Sequence, residues 1–156
     1  METMTPTESL PEVIPLGHLT ISIPTNDDHI AEECFRNISQ RIKTEFFSRN
    51  RRLSFFYDLD IEVEEILPGS KRYKNKPKLR LKKRWSKLKK AGAFTSALLA
   101  GIAGYPAVSD GAQRIYHDFQ AVVEHVIDDE QQKNPDMPPS IESCFPPEDG
   151  EHDHKA

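Results

Sequence analysis

A chain of 156 residues, 37% of them hydrophobic, has room for one domain and one modest core. Its two cysteines, Cys34 and Cys144, are too few for a disulfide framework and lack metal-ligand spacing, which favours a reducing compartment. Residues 1–12 are rich in Thr, Pro and Glu with no cationic-then-apolar pattern, so secretion through a signal peptide is not expected.

The formal net charge of −4 hides a segregated distribution. Lys71 to Lys90 holds twelve Lys or Arg and no acid, whereas Asp128 to Ala156 holds nine acids against two lysines. Residues 1–16 contain Pro6, Pro11 and Pro15 and few large apolar groups, so they are expected to be a disordered N-terminal tail. Leu19, Ile21 and Ile23 alternate with His18, Thr20 and Ser22, the period of a strand with one buried face, and Pro24 ends it. Thr25, Asn26 and Asp27 offer capping oxygens. Ile30, Cys34, Phe35, Ile38, Ile42 and Phe46 then recur at helical spacing, which predicts a helix from about Asp28 to Phe47.

A second strand is expected over the twelve alternating positions Leu53 to Glu64, with Leu53, Phe55, Tyr57, Leu59, Ile61 and Val63 on one face and Ser54, Phe56, Asp58, Asp60, Glu62 and Glu64 on the other. The pair Glu64-Glu65 breaks the alternation, as a bulge or strand end does, and Pro68-Gly69-Ser70 supplies turn chemistry. Lys78 to Lys82 alternate again. Folding that short strand back sets Lys78, Arg80 and Lys82 across from the acidic row, a stabilising arrangement of charge.

From Ala91 to Val108 there are eighteen residues without a charge. As a helix they would extend about 27 Å, just short of the ~30 Å hydrocarbon thickness. Gly92, Ser96, Ala100 and Gly104 fall four apart and make one smooth face for close helix packing, either against another membrane helix or against the sheet of a soluble hairpin. Ser109 or Asp110 can cap a last helix with the apolar stripe Ala112, Ile115, Tyr116, Phe119, Val122, Val126 and Ile127. Beyond Gln132 the proline pairs and acids point to a second disordered tail. Both tails are expected to be dispensable for folding.

The pattern is therefore α+β: a disordered tail at 1–16, a βαββ module at 17–83, a basic-flanked apolar helix plus an amphipathic helix at 84–132, and a disordered acidic tail at 133–156. No glycine-rich phosphate loop, nucleophile elbow or zinc motif is present, so neither an enzyme nor a cofactor or metal site is expected. Cys34, on an apolar stripe, reads as a small buried thiol.

The run Ile66-Leu67-Pro68-Gly69-Ser70 after a long alternating strand, then Leu98-Leu99-Ala100-Gly101-Ile102-Ala103-Gly104-Tyr105 leading into Ser109-Asp110-Gly111-Ala112 and an amphipathic helix, resembles small bacterial α/β modules near membrane segments in conflict and defence systems, of the TRADD-N-like kind. The resemblance spans roughly residues 18 to 130. It implies an adaptor or effector and carries no catalytic residue.

The expected function is a non-enzymatic membrane-associated adaptor or effector, its module cytoplasmic and held at the inner membrane, with soluble cytoplasmic as the second location. Lys71, Arg72, Lys74, Lys76, Lys82, Lys83, Arg84, Lys87, Lys89 and Lys90 would grip an anionic surface, and a protein partner or a second copy would bind the module. The alternative is a soluble nucleic-acid-binding regulator that uses the stretch 71–90 as a phosphate track, with Tyr73 and Trp85 to stack bases. Lysine outnumbers arginine nine to three there, which argues against base readout.

Overall fold

The computed structural model describes residues 11–67, 71–90 and 108–147. In chain order the elements are β1 (Val13–Pro15), β2 (His18–Ile23), α1 (Asp28–Arg49), α2 (Arg51–Phe56), β3 (Tyr57–Leu67), β4 (Lys71–Leu81), α3 (Lys83–Lys90), α4 (Val108–Lys133) and β5 (Ser140–Phe145).

All pairings are antiparallel. β3 lies on one side of β4, β1 and β2 lie end to end on the other, and β5 completes the sheet beyond β2. Since β2 and β3 both run against β4, they are parallel to each other with β4 between them. With β1 taken as an extension of β2, the order β-α-β-β-α-β around that inserted strand is the split β-α-β arrangement of ferredoxin-like sheets.

β1 and β2 are one strand interrupted by a bulge. Pro15 faces Lys78 and Leu19 faces Asn75, so the bulged side carries one more residue than β4 does. The extra residue falls at Leu16–Gly17, where Gly17 has φ +89°. Across from it stands Pro77, whose carbonyl accepts from Leu16 N at 2.9 Å. A proline inside a strand paired on both sides ordinarily breaks a ladder. Here its nitrogen faces the bulge, where no regular bond is due.

α1 starts where its cap predicts. Asp27 Oδ1 accepts from the backbone N–H groups of His29 (3.0 Å) and Ile30 (3.1 Å). It ends at Asn50, whose Nδ2 donates to Phe46 O at 2.9 Å. Phe35, Ile38, Ile42 and Phe46 of α1 and Ile115, Phe119, Val122 and Val126 of α4 cover Leu19, Ile21, Ile23, Tyr73 and Leu79 of the sheet. Full burial of each such side chain contributes roughly 1.5–3 kcal/mol. Phe46 meets Phe119 edge to face at 5.9 Å, and Arg41 of α1 binds Asp129 (2.9 Å) and Glu130 (2.7 Å) of α4.

The expected βαββ core is present as β2-α1-β3-β4, and the irregularity expected at Glu64-Glu65 is a bulge between Val63 and Glu65. Four expectations are corrected. Residues 51–56 are helix α2, not the start of a strand, because Leu53 and Phe56, three apart, are both buried while Phe55 is half exposed. β4 begins at Lys71 rather than Lys78, with Tyr73, Asn75 and Pro77 inward. The supposed N-terminal tail contributes β1 and docks further: Leu81 N donates to Glu12 O (2.8 Å) and Tyr57 OH to Pro11 O (2.7 Å). The supposed acidic tail contributes β5, whose pairing satisfies the outer edge of β2, while residues 1–10 and 148–156 of the two expected tails lie outside the described residues.

Candidate functional site

The sheet leaves one face to solvent, and strand alternation sorts charge onto it in bands. β4 presents Arg72, Lys74, Lys76, Lys78 and Arg80 there, and β3 presents Asp58, Asp60, Glu62 and Glu64 beside them. Lys76 pairs with Glu64 (3.6 Å), Lys78 with Glu62 (3.2 Å) and Arg80 with Asp60 (3.1 Å), each reaching one step diagonally across the ladder. Arg72 reaches Glu142 on β5 at 3.3 Å. Lys71 turns to the helix side and pairs with Asp28 beside the start of α1; that contact raises its pKa. Exposed pairs of this kind add about 0–1 kcal/mol each. Their larger effect is to cancel the positive field of the strand.

The basic stretch therefore divides in two. Lys71, Arg72 and Lys76 have carboxylate partners, whereas Lys74 is half buried on the open face with no ion pair among the described residues. Lys82 links β4 to α3, its backbone N–H donating to Phe56 O at 2.9 Å. Lys83, Arg84 and Lys87 are exposed on α3 and have no ion pair among the described residues; Lys89 and Lys90 close that helix.

α3 is fixed to α2 by aromatic packing. Trp85 is buried against Phe55 (5.2 Å between ring centres) and Phe56 (5.1 Å), and its Nε1 donates to Phe55 O at 3.0 Å. Arg84 lies over the rings of both Phe55 (5.8 Å) and Trp85 (5.4 Å). Phe55 remains 50% exposed and Leu88 38%. Arg51 and Arg52, exposed on α2 four and three residues before Phe55, lie on its side of that helix. The α2–α3 end thus carries the exposed apolar groups Phe55 and Leu88 on the same two helices as the exposed cations Arg51, Arg52, Lys83, Arg84 and Lys87, with one carboxylate, Glu12, accepting from Ser86 Oγ of α3 at 2.9 Å. Sequence reasoning missed Arg51 and Arg52 because it placed them before a strand; the i, i+3 spacing of Leu53 and Phe56 was the available signal.

A second feature lies on the helix-covered face. α1 sits over β2 and β4 and stops short of β3, leaving a groove of about 670 Å³ between α1 and that strand. Phe35 stacked on Tyr73 (4.5 Å, 9° between planes) is one wall, and Ile61, Val63 and Ile66 of β3 are the other. Val63 is 37% and Ile66 54% exposed. Ser39 also lines the groove, its buried hydroxyl without a hydrogen-bond partner among the described residues.

Nothing in the thiols points to nucleophilic chemistry: burial raises the pKa of Cys34 and of Cys144. No described helix is long and apolar enough to cross a membrane. The expected apolar helix and its face of Gly92, Ser96, Ala100 and Gly104 fall at 91–107, outside the described residues. Comparison of the chain with family models, curated proteins and solved structures finds no match.

Proposed function

We propose that the protein is a peripheral adaptor module that rests on an anionic membrane surface through its α2–α3 end. The observation that carries this reading is the exposed pair Phe55 and Leu88 near cations that have no carboxylate partner among the described residues, while the cations of β4 are largely neutralised by β3 and β5. Near an anionic leaflet, Arg51, Arg52, Lys83, Arg84 and Lys87 at about 1 kcal/mol each give on the order of 5 kcal/mol, the range of weak, reversible, salt-sensitive docking. Phe55 and Leu88 would add apolar contact at the headgroup boundary. An adaptor or effector role in a bacterial conflict system, as the resemblance implies, would use such docking to concentrate a partner at the membrane.

Co-sedimentation with phosphatidylcholine vesicles, with and without 30% phosphatidylserine, tests the reading. Binding should require the anionic lipid, weaken from 50 to 300 mM salt, and be lost in R84E/K87E. Equal binding to both vesicles, or none to the anionic ones at 50 mM salt, would refute it. Duplex DNA binding tighter than the vesicles would replace it with the phosphate-track alternative.

A further inference from the structure

We propose that the outer edge of β3 and the groove beside it form a strand-addition site for an extended, basic-alternating peptide segment of a partner protein. The inference uses no residue of α3, so it stands or falls independently of membrane docking.

β3 is an edge strand, and among the described residues nothing pairs with its outer side. Which of its backbone groups are free follows from β4. Pro77 O accepts from Leu16 and Leu81 N donates to Glu12, so odd-numbered residues of β4 point toward β1 and β2. Even-numbered residues then point toward β3, and Lys82 N, donating to Phe56 O, continues that parity. Asp58, Asp60 and Glu62, opposite Arg80, Lys78 and Lys76, hold the inner bonds. Leu59, Ile61 and Val63 therefore present their N–H and C=O groups outward.

These three residues also send their side chains to the groove side, away from the acidic row. An added strand that bonds them directly would lay its own alternate side chains against Ile61 and Val63, facing Phe35 across the groove. Its remaining side chains would lie on the open face beside Asp58, Asp60 and Glu62.

That charge band selects the occupant. β3 is already flanked by the cations of β4, and a basic strand on its other side would repeat the favourable alternation. Asp58 and Glu65 have no ion pair among the described residues and are exposed to receive new ones. A second copy of β3 would instead set carboxylates against carboxylates, which is destabilising. The occupant is thus a partner segment with aliphatic residues at one set of alternate positions and Lys or Arg at the other.

The probe is a fluorescein-labelled nine-residue peptide of alternating Lys and Val, followed by anisotropy with the full chain, with a Glu–Val peptide and a clustered Lys₅Val₄ peptide as comparators. The alternating basic peptide should bind, and the comparators should bind at least tenfold more weakly. N-methylation of one alternating set of backbone amides should abolish binding while the other is tolerated, the valine set being the sensitive one for an antiparallel strand. D58K/E65K should weaken the Lys–Val peptide about tenfold and strengthen the Glu–Val peptide. In amide exchange, Leu59, Ile61 and Val63 should gain protection. Equal binding of the clustered peptide, tolerance of both methylation patterns, or unchanged preference in a folded D58K/E65K variant would overturn the proposal. So would a dimer in sedimentation equilibrium that Ile61→Pro, which removes an outward N–H and no inner ladder bond, converts to monomer while Ile61→Ala does not.

Discussion

Gly17→Ala should be among the most damaging single-methyl additions in this chain. Gly17 has φ +89°, and a Cβ built there would overlap the carbonyl oxygen of Phe145 and approach Pro146 C to 3.1 Å. The left-handed backbone alone costs an alanine about 1–2 kcal/mol. The overlap is with backbone, so no rotamer change relieves it, and β5 must move away from β2 at the His18–Phe145 pair. Loss of one or two ladder bonds adds roughly 1–2 kcal/mol, for a total near 3 kcal/mol. At about 2–4 °C per kcal/mol for a chain of this size, the melting midpoint should fall by roughly 6–12 °C. Urea unfolding followed by far-ultraviolet circular dichroism reads the free energy directly. A second measurement isolates the clash: in a chain ending at Cys144, the same substitution should cost only the backbone term of about 1–2 kcal/mol. A cost below about 0.5 kcal/mol in the full chain, or one that truncation leaves unchanged, would refute this reasoning.

Asp27→Ala removes the acceptor for two free N–H groups of α1 and should cost about 1 kcal/mol, read from the urea midpoint. Arg41, and then Lys133, hold the carboxyl of Asp129 below its ordinary range. A depressed folded value contributes stability above the ordinary carboxylate range that is lost as pH falls through the depressed one. Asp129→Asn should therefore lose less stability than the parent on acidification, and an identical pH profile would contradict that. Deleting residues 140–147 should lower the melting midpoint by many degrees, since β2 loses a partner strand; a shift of under two degrees would show that β5 adds little. Trp85 is the one tryptophan, packed beneath Phe55, so its emission should shift to the blue on anionic vesicles and stay unchanged on neutral ones.

The parts of the fold legible in the sequence were those where one physical signal dominated. α1 combined a cap with an unbroken apolar stripe, and the charges of β3 and β4 could be matched across a hairpin before the register was known. β4 was read too short because its inward positions 75 and 77 are Asn and Pro, neither of which signals a buried strand face. Asn75 is fully buried, with its Nδ2 donating to Tyr73 O at 3.2 Å, and Pro77 is tolerated only because the bulge at Gly17 lies across from it. β5 was hidden between prolines, and its half-buried Ile141 and Cys144 make too short a pattern to stand out. For the site, the cationic stretch was plain but its division was not. Whether a lysine meets a carboxylate depends on register and on β5, and Arg51, Arg52 and Phe55 join α3 only through the packing of Trp85.

The place of β2 has a further consequence for how the chain is made. β2 leaves the ribosome well before its outer neighbour β5, and His18 waits for Phe145. Until then the nascent chain can form the β2-α1-β3-β4 unit but carries a bare edge on β2, next to the fully buried positions Leu19, Ile21 and Ile23. An uncapped edge beside apolar side chains is what invites pairing with another chain. Slow emergence of the segment after α4 would lengthen that exposure, so expression yield should respond to translation speed and chaperone supply through β5 more than through any element before it.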